Sequence, residues 1–246
     1  MKAARATEHL NDLRKLISDF LGKDPYTITK KDDEKRQLYI VRIESNPATP
    51  RIPILIGEFA YALRSALDQL VWQLALLSGH RPGNKSAFPI HHSDANTDRQ
   101  RFMLATWNVP AEAIEIIKRF QPYTRGNAYK SHPLWQLNKL CNLDKHQTIG
   151  VNSTSINFAT TGPPHNILQR HFDQGVELAI PLAAKADVTF EPEIPTLVFG
   201  KPIHAPGSDF ELTQEEVTEI HRFVRDEVIP SFSRFFPDCE RLSFLP

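Results

Sequence analysis

Cysteine is scarce in this chain, and neither sign of charge prevails. Its two cysteines, Cys141 and Cys239, leave room for at most one disulfide, so we predict two thiols in a reducing cytoplasm. Lys plus Arg and Asp plus Glu number 29 each. This balance excludes a global basic field of the kind that draws a protein to duplex nucleic acid or anionic lipid, although a local patch is compatible with it.

Long apolar runs are missing as well. Residues 1–15 lack the apolar core of a signal peptide. The most apolar stretch, residues 54–77, contains Glu58, Arg64 and Asp68, whereas a membrane span needs about 18 or more mostly apolar residues. We therefore expect no membrane partner and a cytoplasmic protein. With 246 residues, of which 41% are hydrophobic, the chain is long enough to bury a sizeable core.

The first part of the chain follows mainly helical periodicity. Pro133 suits the first turn of a helix. Before the longest helical stretch, two alternating runs predict a hairpin. Apolar residues recur at helical spacing over 7–21, 54–77 and 110–120, and the alternating runs cover 26–29 and 38–43. We predict a helical part over about residues 1–147.

After residue 147 the period of the apolar residues changes to two. Alternating pairs between residues 149 and 199 predict a β-rich, mostly antiparallel part over about residues 148–207. Thr213 and Glu216 have the spacing of a capping box, which predicts a C-terminal helix over about residues 213–236. Because the early hairpin can join the later strands in one sheet, we predict a single α+β domain over residues 1–246.

The segment 133–147 is the most informative, because it has polar side chains on both faces of a predicted helix. At about 100° per residue, Asp144 falls on the apolar side with Leu137, Leu140 and Cys141. A carboxylate there needs a partner, and Arg64 and Asp68 lie among apolar residues of the earlier long helix. We expect Arg64 to bridge to Asp144 in a buried network. The alternative is a purely structural role, in which these charges fix the register of two core helices.

The opposite face of the same helix is polar. It combines Trp135 with Asn138, Lys139, Asn142 and His146. Amides orient polar ligands, lysine neutralises anions and histidine moves protons near neutral pH. We predict that Asn138, Asn142 and Lys145 bind a small polar or anionic ligand and that His146 is the candidate catalytic residue; the alternative is a solvated face. No cofactor is implied.

Other chemical motifs are weak. His80, His91 and His92 fall in or beside one loop, but no HExxH or CxxC spacing accompanies them, so we expect no metal site. Cys141 lies on the apolar side of its helix, which predicts an unreactive buried thiol. The chain has no GxSxG, Walker A or GxGxxG motif, which argues against serine-hydrolase, P-loop and dinucleotide-binding functions.

Two segments together resemble a group of uncharacterised bacterial proteins. They are LRSALD at 63–68 and LWQLNKLCNLDKH at 134–146, with Phe88-Pro-Ile90 and Gln121-Pro-Tyr123 between them. The resemblance covers about residues 55–147 and implies a bacterial protein without implying an activity. A looser likeness is to helical HEPN domains, many of which act on RNA through an Arg followed by His after four to six residues. Arg125 and His132 have that spacing.

Three functions remain open from the sequence. The first is binding of a small polar or anionic ligand in a cleft between the two helices. The second is an RNA-cleaving toxin or defence factor in which His146 or His132 transfers protons. The third is a protein-interaction module, which a large exposed apolar patch on the β-rich part would indicate. The oligomeric state is left open.

Overall fold

A computed structural model describes most of the chain. The described residues are 2–23, 26–45, 48–147, 149–154, 157–160, 168–172, 175–191, 196–200 and 210–237. Cys239 therefore lies outside them. In these described residues, six α-helices combine with small antiparallel sheets in an α+β fold, as the sequence predicts.

Two long helices form the centre of the structure. Helix α1 covers Lys2–Leu21 and α2 covers Arg51–Leu77. Leu10, Leu13 and Ile17 of α1 are buried in the same apolar core as the α2 side chains. On α2 the fully buried side chains recur every three or four residues, and they include Ile56, Phe59, Leu63, Leu67 and Leu74. These side chains form the buried face of α2.

Shorter helices follow α2 and complete the helical part. Helix α3 covers Asn96–Ala105, α4 covers Ala111–Arg119, and α5 covers Pro133–His146, after a 3₁₀ segment at Pro122–Ser131. Pro133 occupies the first turn of α5, where its missing N–H costs nothing. α5 packs against α2 and thereby places the two predicted charged segments next to each other.

The strands of the described part of the chain form three antiparallel sheets. The largest has the order β1 (Tyr26–Asp33), β2 (Leu38–Ser45), β6 (Gly175–Pro181) and β5 (Leu168–Phe172). A three-stranded sheet has the order β3 (Gly150–Thr154), β8 (Thr196–Gly200) and β9 (Glu211–Thr213). A third pair joins β4 (Asn157–Thr160) to β7 (Val188–Glu191). The largest sheet has its own small apolar cluster around Tyr39, Val41 and Leu178.

The last helix, α6 (Gln214–Arg222), begins with the predicted capping box. The Thr213 hydroxyl accepts from the Glu216 backbone N–H at 3.2 Å, and the Glu216 carboxylate accepts from the Thr213 N–H at 2.8 Å. The helix continues as a π-helical turn at Phe223–Val228 and a 3₁₀ turn at Pro230–Phe235. Both add apolar side chains to the main core.

Most predicted elements are confirmed, including the joining of the early hairpin to a later strand through β2 and β6. Two differences have clear causes. Helix α2 begins at Arg51 instead of Ile54, because Pro53 lies in its first turn, where a missing N–H is tolerated. Helix α3 escaped prediction because its apolar residues lie on both sides of the helix rather than on one face.

Candidate functional site

Asp144, near the end of α5, lies directly on the backbone of α2. A Cβ atom added at Gly57 would come within 2.7 Å of the carboxyl carbon of Asp144 and would overlap its Oδ1. No side chain larger than hydrogen fits there unless Asp144 moves. Gly57 is buried inside a helix of 27 residues. The close contact between Gly57 and Asp144 is thus one part of the packing of α5 against α2.

Within the described residues, the Asp144 carboxylate makes no hydrogen bond and no ion pair. The residue as a whole is exposed to solvent, yet its carboxylate is covered on one side by α2. This partial burial raises the pKa of Asp144 above its ordinary value of 3.8. The predicted bridge from Arg64 to Asp144 is therefore wrong, because Asp144 meets a backbone where a cation was expected.

Arg64 instead forms a clamp with Asp68 on the backbone of Phe88. Arg64 Nη2 donates to the Phe88 carbonyl at 2.7 Å, and Asp68 Oδ1 accepts from the Phe88 N–H at 2.9 Å. The two side chains also form an ion pair at 3.1 Å. Phe88 itself is fully buried. The pair fixes the loop after α2 to that helix, whereas the sequence predicted contacts between α2 and α5.

Cys141 lies among these charges. Burial raises the pKa of its thiol to about 11, and the positive charges of Arg64 and Lys145 oppose this only partly. The carboxylates of Asp144 and Asp68 act on the same thiol. The fold therefore does bring the charged residues of α2 and α5 together, and the thiol stays protonated and unreactive, as predicted. We call Gly57, Arg64, Asp68, Cys141, Asp144 and Lys145 the α2–α5 junction.

One buried polar atom of the junction has no partner among the described residues. It is Nη1 of Arg64. A guanidinium nitrogen without an acceptor is costly, since buried donors are almost always hydrogen bonded. The junction thus holds an unpaired carboxylate and an incompletely paired cation on neighbouring helices.

The predicted ligand-binding face of α5 is mostly open to solvent. Asn142, Lys145 and His146 are exposed, while Asn138 is half-buried. None of the four has a hydrogen bond or ion pair among the described residues. At about 100° per residue, Asn142 and His146 lie roughly 160° around α5 from Asp144. The structure therefore leaves Lys145 at the junction but separates Asn142 and His146 from it.

His132, half of the HEPN-like spacing, is the N-terminal cap of α5. Its Nδ1 accepts from the Leu134 N–H at 3.2 Å, and its ring packs edge-on against Phe223. Burial lowers the pKa of His132 to about 4, with a smaller contribution from Arg125. Arg125 donates to the Ser131 carbonyl at 2.8 Å. Both residues serve local structure, because the His132 atom that would take a proton is already used as a cap.

Among the three loop histidines, His91 has a defined role. Its Nδ1 lies 3.5 Å from Asp98 Oδ1, and both side chains are only 15% exposed. The backbone N–H of His91 donates to Gln121 Oε1 at 3.0 Å. Burial is the main cause that lowers the pKa of His91. These contacts attach the start of α3 to the loop. No group of three metal-ligating side chains occurs in the described part of the chain.

Two residues of the site escaped the sequence-based search. Gly57 gave a usable signal, since a glycine inside a strongly apolar helical stretch often marks close packing. Phe88 gave none, because its part in the clamp depends on its backbone atoms.

Comparisons with protein-family models, curated proteins and solved structures find no match to this chain. None of the helices formed by the described residues is long and apolar enough to cross a bilayer.

Proposed function

We propose that the α2–α5 junction binds a small polar ligand with an anionic group and an adjacent hydrogen-bond donor. The contact between Gly57 and Asp144 carries this proposal. The Asp144 carboxylate accepts a hydrogen bond from the donor of the ligand, and the anionic group of the ligand lies near Lys145. This is a binding function; His146 and Asn142 can contribute only to a ligand that extends around α5.

Two local costs, at Gly57 and at Asp144, support this proposal. A glycine inside a helix destabilises it by about 1 kcal/mol relative to alanine, and partial burial of an unpaired carboxylate is also unfavourable, as the raised pKa of Asp144 indicates. Proteins break local rules of this kind mainly at functional sites. A hydrogen-bond donor from a ligand would offset the cost of the unpaired carboxylate. The glycine inside α2 would then be explained by the room that it leaves for Asp144.

The charges of the junction support an anionic group beside that donor. Lys145 is exposed, and its charge acts on the same thiol as the charge of Arg64. Lys145 of α5 and Arg64 of α2 thus both lie near Cys141, where the two helices meet. A zwitterion with a carboxylate and an ammonium group matches this pairing of Lys145 with Asp144.

Thermal unfolding in the presence of matched probes tests the proposal. The probes are the common amino acids, each compared with the carboxylic acid that lacks its amino group. A ligand at 100 times its Kd stabilises the folded state by about 2.7 kcal/mol, which raises the Tm by a few degrees. We expect at least one amino acid to raise the Tm, and its matched carboxylic acid to raise it much less.

Two variants assign the effect to the site. Asp144→Ala should abolish the rise in Tm, and Lys145→Ala should reduce it. Lys139→Ala is the matched control, because Lys139 is also an exposed lysine of α5 but lies farther from α2 around the helix. If the Asp144→Ala variant responds like the wild type, or if no amino acid shifts the Tm, the proposal is wrong.

A further inference from the structure

Helix α3 has apolar side chains directed to solvent as well as to the core. Phe102 is buried, whereas Met103, Leu104 and Trp107 are 60%, 45% and 58% exposed. Side chains so far exposed protrude from the surface instead of lining a groove. Exposing three large apolar residues on a short helix and the turn after it is unfavourable in a monomer and usually marks a contact surface.

The C-terminal turns of α2 expose apolar side chains as well. Trp72, Leu76 and Leu77 are exposed there. Residues 87 and 88 connect α3 to α2: the Ala87 N–H donates to the Ala105 carbonyl at 3.3 Å, and the Phe88 N–H donates to the Asp68 carboxylate.

We call Met103, Leu104 and Trp107, which follow one another on α3 and in the turn after it, the apolar surface.

Basic side chains accompany the apolar surface. Arg99 and Arg101 are exposed on α3, and at about 100° per residue they lie on either side of the outward strip formed by Met103, Leu104 and Trp107. Arg81 and Lys85, also exposed, belong to the loop before α3. Residues 69–107 contain these four basic side chains and two acidic ones, Asp94 and Asp98. Asp98 faces His91 and Arg101.

We propose that the apolar surface docks on an anionic phospholipid bilayer, with Met103, Leu104 and Trp107 inserted at the level of the headgroups. Tryptophan is favoured at that depth because its ring is apolar while its N–H remains hydrated. The arginine stems extend along the apolar layer and their guanidinium groups reach lipid phosphates. The balanced charge of the whole chain predicts no membrane partner, but binding at an interface depends on the local charge.

Arg99 and Arg101 also favour a lipid bilayer over a second copy of the chain as the partner of this surface. In a two-fold interface centred on α3, each subunit would bring Arg99 and Arg101 to the same contact, and like charges there are repulsive. An anionic surface has the complementary charge.

Sedimentation with lipid vesicles tests the proposal with the full chain. We expect the protein to sediment with vesicles of phosphatidylcholine and phosphatidylserine, but not with vesicles of phosphatidylcholine alone. Binding should weaken as the salt concentration rises. The double variant Met103→Ser/Leu104→Ser and the double variant Arg99→Glu/Arg101→Glu should each reduce binding at least tenfold. Trp107 fluorescence should shift to shorter wavelength on binding.

Leu168→Ser is the matched control, because Leu168 is 69% exposed but lies on β5 in the β-rich part. All these side chains are exposed, so the Tm should change little and loss of binding cannot be attributed to unfolding. Absence of sedimentation with either vesicle, or binding that Met103→Ser/Leu104→Ser leaves intact, would overturn the proposal. So would a wild-type dimer in light scattering that this variant dissociates, since a second copy would then cover the surface.

Discussion

The carboxylate of Asp144 lies on the backbone of Gly57, at a point where a Cβ atom would overlap Oδ1. Gly57→Ala should therefore destabilise the protein by about 1–3 kcal/mol, although alanine is the better helix former. In an Asp144→Ala background the clash is absent, and Gly57→Ala should stabilise by about 0.5–1 kcal/mol. Urea unfolding of the four proteins gives this double-mutant cycle. Equal effects of Gly57→Ala in both backgrounds would contradict the contact.

Arg64 and Asp68 hold both backbone polar groups of Phe88, so their loss should leave buried groups unpaired. Arg64→Ala should destabilise by about 2–4 kcal/mol. Asp68→Asn keeps an acceptor for the Phe88 N–H and should cost only about 1 kcal/mol. Lys118→Ala, which removes an exposed ion pair to Glu115, is the control and should change stability by less than about 1 kcal/mol. Denaturant unfolding measures all three; a larger loss for Asp68→Asn than for Arg64→Ala would argue against the clamp.

The low pKa of His132 makes stability depend on pH. The folded state keeps His132 neutral down to about 4, whereas the unfolded chain protonates it near 6.5. Since the unfolded state then binds more protons, stability falls as the pH drops from 6.5 towards 4. His91 and His221, whose pKa values are also lowered, add to this loss.

His132→Asn keeps a capping side chain but removes the titration. Its free energy of unfolding should decline less steeply between pH 6.5 and 4, by up to about 1.4 kcal/mol per pH unit. Unfolding in guanidinium at several pH values measures the slope. An unchanged slope in His132→Asn would mean that the buried imidazole is protonated in the folded state.

Asp144 has the opposite dependence. Its folded pKa is raised above 3.8 by partial burial, so in the interval between 3.8 and the folded pKa the folded state binds more protons than the unfolded state. Its contribution to stability therefore falls as the pH rises through that interval. Asp144→Asn should remove this contribution. The stability of the variant minus that of the wild type should therefore be greater at neutral pH than at pH 3.5. Thermal unfolding at the two pH values provides the comparison.

His146→Ala should leave the Tm nearly unchanged, because His146 is exposed and makes no hydrogen bond or ion pair within the described residues. The same variant tests the alternative ribonuclease function: incubation of wild type and variant with total cellular RNA should leave the RNA intact if the chain only binds ligands. Cleavage by the wild type that His146→Ala abolishes would favour the RNA-cleaving function instead.

The sequence by itself determined the helices whose apolar residues recur on one face, the alternating strands and the capping box at Thr213. These are short-range consequences of side-chain period and backbone chemistry. It also identified the charged residues of α2 and α5 as neighbours. It missed α3, whose apolar residues point both ways and cancel the periodic signal.

Only the tertiary structure decided how those charges are used. Helix spacing shows which face a residue occupies, but the partner depends on the rotation and axial position of a second helix. Gly57 lets α5 approach so closely that Asp144 meets a backbone, while Arg64 turns to the carbonyl of Phe88. A backbone acceptor supplied by a loop leaves no trace in the pattern of side chains, so the sequence could place the charges together without showing which would pair.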